Sequence, residues 1–345
     1  MANEKKTVRE PSFILALVPI VAMIAFMLYC FRGHSETGYH DAHLPLVMSI
    51  IVACIVGFIC GHSFQEMLAG MVERLAASME AVLILATVGF LVTSFMLSGA
   101  IPTMIVYGLD LLTPKLFLPV GCILCAIVGM ACGSSWTTTA TIGLAFLGIG
   151  AGLGIPAPIT AGMIISGAYV GDKFSPLSDT TNLAAAVAET GLFDHVTAMV
   201  STTGPTLLLS LILYTILGLN VDTSAYDATV AEGIQEAFRG AFTISPILLL
   251  PIIVVIVMCI LRVPGLVGIA VSVATAVLFM LIFQSTDIFY SYSLGDIFDV
   301  LHYGNAVETG NAVADSILGK AKGMDGMMWT INLILVALAY GGALE

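Results

Sequence analysis

Residues 155–190 read IPAPITAGMIISGAYVGDKFSPLSDTTNLAAAVAET, apolar at both ends and polar in the middle. A continuous helix over 156–190 would overrun a hydrocarbon core, which about 20 residues suffice to cross. The polar centre, GDKFSPLSDTTNLA (171–184), holds Asp172, Lys173 and Asp179 together with hydroxyl, amide and proline side chains. Burying three ionisable residues at mid-membrane depth costs about 8–10 kcal/mol, and each nearby Leu or Ile returns only about 0.3–0.6 kcal/mol. A segment that carries such a penalty faces a protein interior or an aqueous cavity, and its charges are functional candidates. Pro176 has no N–H to bond the carbonyl of residue 172, and it biases Ser175 away from helical geometry. The helix is therefore expected to open around 172–176 and to free backbone carbonyls beside Asp172.

The rest of the chain sets that stretch in lipid. Of the 345 residues, 59% are hydrophobic and 10% charged, with a mean hydropathy of +1.04. A soluble domain carries roughly 25% charged residues, so this chain is expected to be an integral membrane protein. Alternating ten-residue strands are absent from the sequence, which leaves helices as the spanning element. The formal net charge of −12, without a basic patch, argues against nucleic acid as a partner. No cleavable signal peptide is evident, and the basic residues of MANEKKTVRE place the N-terminus in the cytoplasm of a multi-pass protein of the cell membrane. Cys122 and Cys125 have a CxxC spacing inside an apolar segment, where cysteine serves as a small hydrophobe. His34, His40 and His43 read as plain loop residues, with metal binding the lesser alternative.

Apolar spans are expected at 13–31, 44–61, 81–101, 116–150, 156–190, 198–219, 243–261, 265–283 and 328–345. Residues 116–150 are also too long for one crossing, about 52 Å at 1.5 Å per residue. ACGSSWTTTATIG (131–143) interrupts them, so a re-entrant hairpin or a broken helix is expected there, with the hairpin preferred. SFQEMLAGMVERLAASM within 62–80 and ETGNAVADSIL within 302–327 have the spacing of amphipathic interfacial helices. The segments 220–242 and 284–327 read as acidic loops outside the cell. An offset of 243 residues sets the span at 81 against that at 328, with Ser98-Gly99-Ala100 facing Gly341-Gly342-Ala343. The expected fold is thus an all-α polytopic inverted-repeat transporter with a re-entrant hairpin and a broken helix. Residues 1–345 form a single membrane domain, with 62–219 as the first repeat and 302–345 as the start of a second, incomplete one. On this reading the chain is expected to be truncated at its C-terminus.

Around the expected break stand the hydroxyls of Ser175, Ser178, Thr180 and Thr181, the amide of Asn182, and the carboxylates of Asp172 and Asp179. Hard oxygens of this kind suit a dehydrated Na⁺ or Li⁺. A carboxylate away from water holds a proton readily, and an arriving cation drives that proton off, so one group can serve two competing ions. The plainer alternative is a structural kink in which Lys173 neutralises Asp172 and the serines cap broken helix ends. Ser134 and Ser135 in the hairpin have a similar alternative, helix packing by small residues. The Gly57/Gly61, Gly129/Gly133 and Gly167/Gly171 pairs read as packing motifs, and GIGAGLG (148–154) as a tight turn. A membrane enzyme using Asp172 and Asp179 as a catalytic pair is disfavoured, since no HExxH or GxSxG motif accompanies them. A scaffold without activity leaves the buried charge unexplained.

SGAYVGDKFSPLSDTTNLA (166–184) resembles a signature of the NhaC-type sodium/proton antiporter family. YGNAVETGNAVADSIL (303–318) with MMWTINLILVALAYGGALE (327–345) is similar to that family's second-half signature, and CGSSWTTTATIG (132–143) to its first hairpin. The resemblance extends over essentially the whole chain. It implies the ion-transporter superfamily fold, a midplane site, and exchange of Na⁺ for H⁺ as a secondary active transporter and not an enzyme. The matching positions are Asp172, Ser175, Ser178, Asp179, Thr180, Thr181 and Asn182, with Ser134 and Ser135 from the hairpin; Asp179 carries the strongest expectation. Na⁺ would occupy that site as cargo, and no resident cofactor is expected. The family has a complete second half, which this sequence does not reach. Some relatives exchange organic anions or amino acids, so a Na⁺/H⁺-coupled exchanger of a small carboxylate such as malate or lactate stands as the alternative, with Lys173 holding the anion. The expected partners are the bilayer, Na⁺ and H⁺, and a homodimer is one candidate assembly.

Overall fold

The computed structural model describes residues 9–33, 41–132, 135–175, 178, 180–181, 184–185, 188, 190–220, 228–261, 263–284, 294–304, 307–319 and 321–345. The described chain is all-helical, and the protein is an all-α polytopic membrane protein. Among the described residues, five helices are long and apolar enough to cross a membrane, or up to seven spans if two sharply bent helix pairs each count as one. It divides into two compact units, Met1–Ala86 with Met327–Glu345 and Thr87–Gly326.

The first unit is built from α1 (Phe13–Gly33), α2 (His43–Cys60), α3 (Phe64–Ala77) and the start of α4 (Met79–Leu97), together with the chain's last helix, Asp325–Leu344. Gly61, at φ 98°, ends α2 in the left-handed region. Ser63 then caps α3 through a reciprocal bond pair with Glu66. The SFQEMLAG stretch is therefore a helix, as its spacing predicts. Leu46 and Ala53 of α2 meet Tyr340 in one buried cluster, and Val82 and Leu85 meet Ile331 in another. A Cβ on Gly342 would fall 2.6 Å from the Gly70 carbonyl oxygen, so α3 and the last helix cross backbone against backbone. His43 is no plain loop residue: it opens α2, bonds Asp41, and sets its ring against Trp329 with centroids 5.2 Å apart. The same bond holds the Asp41 carboxyl below its ordinary pKa. His34 and His40 lie outside the described residues.

The second unit holds the remainder of α4 and α5 (Ala100–Leu111), α6 (Pro114–Cys132), α7 (Ser135–Thr138), a π-turn over Thr139–Gly143, α8 (Leu144–Gly152), α9 (Ala157–Phe174), α10 (Leu192–Leu219), α11 (Ala228–Ala241), α12 (Leu250–Ile260), α13 (Gly265–Phe283), α14 (Leu294–Tyr303) and α15 (Ala312–Leu318). The last helix, Asp325–Leu344, is α16. The expected span 81–101 is interrupted: α4 stops at Leu97, Gly99 turns the chain at φ 81°, and α5 starts at Ala100. Gln284, at the end of α13, donates to the Ser98 carbonyl at 2.8 Å and accepts from Thr243 N–H at 3.0 Å, covering the break. The acidic 220–242 stretch is not all loop either. Within it α11 buries Ala231, Ile234 and Phe238 and packs on α5, while Gln235 donates to Asp110 at 2.8 Å. Likewise α14 occupies part of the expected loop 284–327. The ETGNAVADSIL helix is confined to α15, which Asn311 caps; Asp315 turns back to accept from Thr309 N–H at 2.7 Å, which lowers its pKa.

The long 116–150 span folds back on itself. The rings of Phe117 on α6 and Phe146 on α8 sit 6.0 Å apart, where one straight helix over those 29 steps would hold them about 43 Å apart. The chain therefore reverses direction between α6 and α8, as the hairpin reading requires. The turn that GIGAGLG predicts falls at its end: α8 runs to Gly152, and Gly154 has φ 71°.

Candidate functional site

The site is made by the way α9 ends. Pro156 precedes the helix as its cap residue, and GMIISGAYVG carries it through 162–171. Its glycines then press it against α6. A Cβ on Gly167 would lie 2.3 Å from the Cys122 carbonyl oxygen, and one on Gly171 would lie 2.2 Å from that of Ala126. From the other side, a Cβ on Gly129 would meet the Ala168 carbonyl oxygen at 2.7 Å. These three glycines serve packing, as read from their spacing, whereas Gly61 is a helix cap and Gly133 lies outside the described residues. Cys122 and Cys125 are fully buried in α6, and a Cβ on Gly167 would also touch Cys125. The contact holds the last turn of α9, and Asp172 on it, against the α6 backbone.

Helical geometry stops at Phe174; Ser175 is extended, with φ −85° and ψ 123°. The break thus falls one residue before Pro176, where the steric demand of a proline on its predecessor puts it. Asp172 is 5% exposed, and Ser175, Ser178 and Thr181 are buried as fully. The Asp172 carbonyl is not left free, as the sequence implied. It accepts from Ser175 N–H at 3.1 Å and from the Thr181 hydroxyl at 3.3 Å. The chain after the break curls back to cover the carbonyl that the break exposed.

A chain of hydroxyls leads from this point to a cation. Lys173 Nζ donates to Thr180 Oγ1 at 2.9 Å, and Thr180 Oγ1 donates to Asp172 Oδ2 at 3.4 Å. Ser178 Oγ lies 3.0 Å from Thr180 Oγ1 and accepts from Thr181 N–H at 3.3 Å. With its single proton directed at Asp172, Thr180 is left to accept from both Ser178 and Lys173. Adjacent residues on a helix do not face one another. Lys173 accordingly reaches the carboxylate through Thr180, which is exposed, and stays half in solvent itself.

Asp172, Ser175, Ser178, Thr180, Thr181 and Lys173 are thus gathered at one helix end. Asp179, Asn182, Ser134 and Pro176 lie outside the described residues. Ser135 begins α7, is 5% exposed, and accepts at its carbonyl from Thr139 Oγ1 at 2.8 Å. Although α7 packs on α9, no hydrogen bond joins Ser135 to the Asp172 cluster among the described residues. The neighbouring π-turn buries Thr141, whose hydroxyl donates to the Thr138 carbonyl at 3.3 Å. Such turns recur at functional sites. The interruption at Ser98–Gly99 and its buried Thr93, Ser94, Ser98 and Thr103 escaped the sequence reading. The cue was a Ser-Gly pair followed by Pro102 inside one apolar run.

A buried carboxylate with hydroxyl oxygens beside it, gathered at a helix break, can hold a small hard cation or a proton. The comparisons with known proteins run in the same direction. A family profile described as the Na⁺/H⁺ antiporter family matches residues 167–345. The chain is 36% identical to the arginine/ornithine antiporter ArcD of Halobacterium salinarum, over 98% of this chain and 68% of that protein. It is 33% identical to the Na(+)/H(+) antiporter NhaC of Alkalihalophilus pseudofirmus, over 88% of this chain and 64% of that protein. It is 32% identical to the malate-2H(+)/Na(+)-lactate antiporter of Bacillus subtilis, over 99% of this chain and 70% of that protein. The chain therefore spans about two thirds of the length of these relatives. No solved structure gives a significant match.

Proposed function

Because the chain belongs to the Na⁺/H⁺ antiporter family, we propose that it is a secondary active antiporter exchanging Na⁺ or Li⁺ for H⁺ across the cell membrane. The observation that carries this is Asp172: a residue 5% exposed at an interrupted helix end, whose carboxylate accepts from the Thr180 hydroxyl and whose backbone carbonyl accepts from that of Thr181. Asp172, Ser175, Ser178, Thr180 and Thr181 supply oxygens to the cation, with Asp179, Asn182, Ser134 and Ser135 completing the site. Asp179 remains the carboxylate most strongly expected to trade a cation for a proton. A proton and a cation cannot share one carboxylate at full strength, so loading one releases the other. The ions are cargo, and the reading calls for no resident cofactor. It places the N-terminal tail on the cytoplasmic side, residues 62–219 and 302–345 as a first repeat and the start of a second, and a homodimer as the candidate assembly.

A second reading has its own support. Two relatives carry names of exchangers of amino acids or small carboxylates. Under that reading the same site couples Na⁺ or H⁺ to such a solute, with Lys173 holding its carboxylate.

One assay separates the two. The protein is reconstituted in liposomes with an acidic lumen and a fluorescent pH reporter, and Na⁺ is added outside. Dissipation of the gradient, abolished in Asp172→Asn and Asp179→Asn, is the expected result. A response that appears only with malate, lactate or arginine present selects the second reading. Gradient loss that ignores the cation sinks both.

A further inference from the structure

We infer that Lys173 is a tethered competitor of the transported cation: its ammonium takes, on Thr180, the oxygen that a bound Na⁺ needs, and so sets how tightly the ion is held and how fast it leaves. The inference rests on the reading of Asp172 as a cation ligand.

Thr180 Oγ1 has one proton and two acceptor positions. The proton points to Asp172 Oδ2, one acceptor position faces Ser178 at 3.0 Å, and the other is filled by Lys173 Nζ at 2.9 Å. A cation bridging Asp172 and Thr180 has to vacate one of these. Ser178 is buried and further held by Thr181 N–H, so its displacement costs a buried hydrogen bond. Lys173 is half-exposed on a flexible four-carbon stem and swings into water at small cost. The exchange also balances charge. A positive charge stays near the carboxylate whether Na⁺ is seated or not, since the ammonium returns to Thr180, one hydroxyl away from Asp172, when the ion leaves. The ammonium therefore both weakens cation binding and eases release. A simple ligand would instead strengthen binding, and a structural prop would leave affinity unchanged.

The test uses initial rates of Na⁺-driven pH change in the same liposomes, across a range of Na⁺. Lys173→Gln should lower the apparent KM for Na⁺ about two- to fivefold, the range expected of a half-exposed ammonium. kcat should fall with it, because release slows. Lys173→Arg, which keeps the charge, should stay near the wild-type KM. In Thr180→Val, which lacks the contested oxygen, adding Lys173→Gln should change nothing further. Lys173→Met, close in bulk to the stem, serves if the glutamine variant fails to insert. A KM left unchanged or raised by removing the charge overturns the inference. So does loss of malate or lactate dependence at an unchanged Na⁺ KM, which would make Lys173 an anion anchor. Were Asp172→Asn to retain full exchange, the cation site itself would be misplaced; were it inactive while Lys173→Gln kept the wild-type KM, only the competitor would fall.

Discussion

Thr103 stands on α5 with no solvent exposure, and its hydroxyl has no hydrogen-bond partner among the described residues. A buried unpaired hydroxyl forfeits the hydrogen bond it made with water, while a methyl of the same shape loses nothing. Thr103→Val should therefore raise stability by about 1 kcal/mol, read as a higher midpoint of thermal unfolding in detergent. A lower midpoint would mean that the hydroxyl is satisfied in the working protein by water or a ligand. Thr103 also marks a limit of sequence reading at this scale. Asp172 was legible because a charge inside an apolar run is conspicuous and costly. Thr103 and Gln284 are uncharged, and their importance comes from what surrounds them, which one sequence does not record. The Lys173–Thr180–Asp172 relay was hidden for a related reason. Its partners are seven and eight residues apart across a break, and their spacing depends on how the chain curls back after Ser175.

Among the elements, α6 and α9 make the contact that positions the site, and it depends on an absence of side chain. A methyl on Gly171 would sit 2.2 Å from the Ala126 carbonyl oxygen and 2.7 Å from Met130 N, both backbone atoms that cannot rotate away. Gly171→Ala should push the helices apart, cost at least about 1–3 kcal/mol, and disturb Asp172 on the adjacent position. On α11, a methyl on Gly240 would meet nothing within 4 Å. There the same replacement should stabilise by up to about 1 kcal/mol through lost chain entropy. Parallel unfolding of the two variants tests the contrast, and equal effects would discount the close approach. Small-residue spacing made this contact legible in advance. The α4–α5 break was not, since an apolar run reads as one span whether or not a glycine turns it. Nor was α11: its Glu232, Glu236 and Arg239 lie on the face away from Ile234 and Phe238, and the acidity of the stretch concealed its periodicity.

At the scale of the molecule, composition alone announced a membrane protein, and the structure shows where that apolar surplus goes. On α10, Val200, Leu208, Leu209, Leu213 and Leu219 are all exposed, although Tyr214 and Gly218 on the same helix are buried. Tyr214 Oη bonds Ser166 of α9 at 3.0 Å, so one stripe holds the bundle and the rest of the helix faces outward. Such a surface is untenable in water and natural against acyl chains. The helix has 28 residues and is about 42 Å long, more than a hydrocarbon core requires, so its ends reach the interfaces and its middle does not. Leu209, 68% exposed near that middle, should accordingly accept Ala with little effect. Leu209→Arg should cost about 2.5–3.5 kcal/mol of insertion, leaving a sharply smaller membrane-integrated fraction. Asp194→Arg, in the first turn of the same helix, adds a cation at the interface, where the penalty is slight. Integration is read from the share of protein resistant to carbonate extraction. If Leu209→Arg integrates as fully as Asp194→Arg, the outward face of α10 borders water or another protein surface and not lipid.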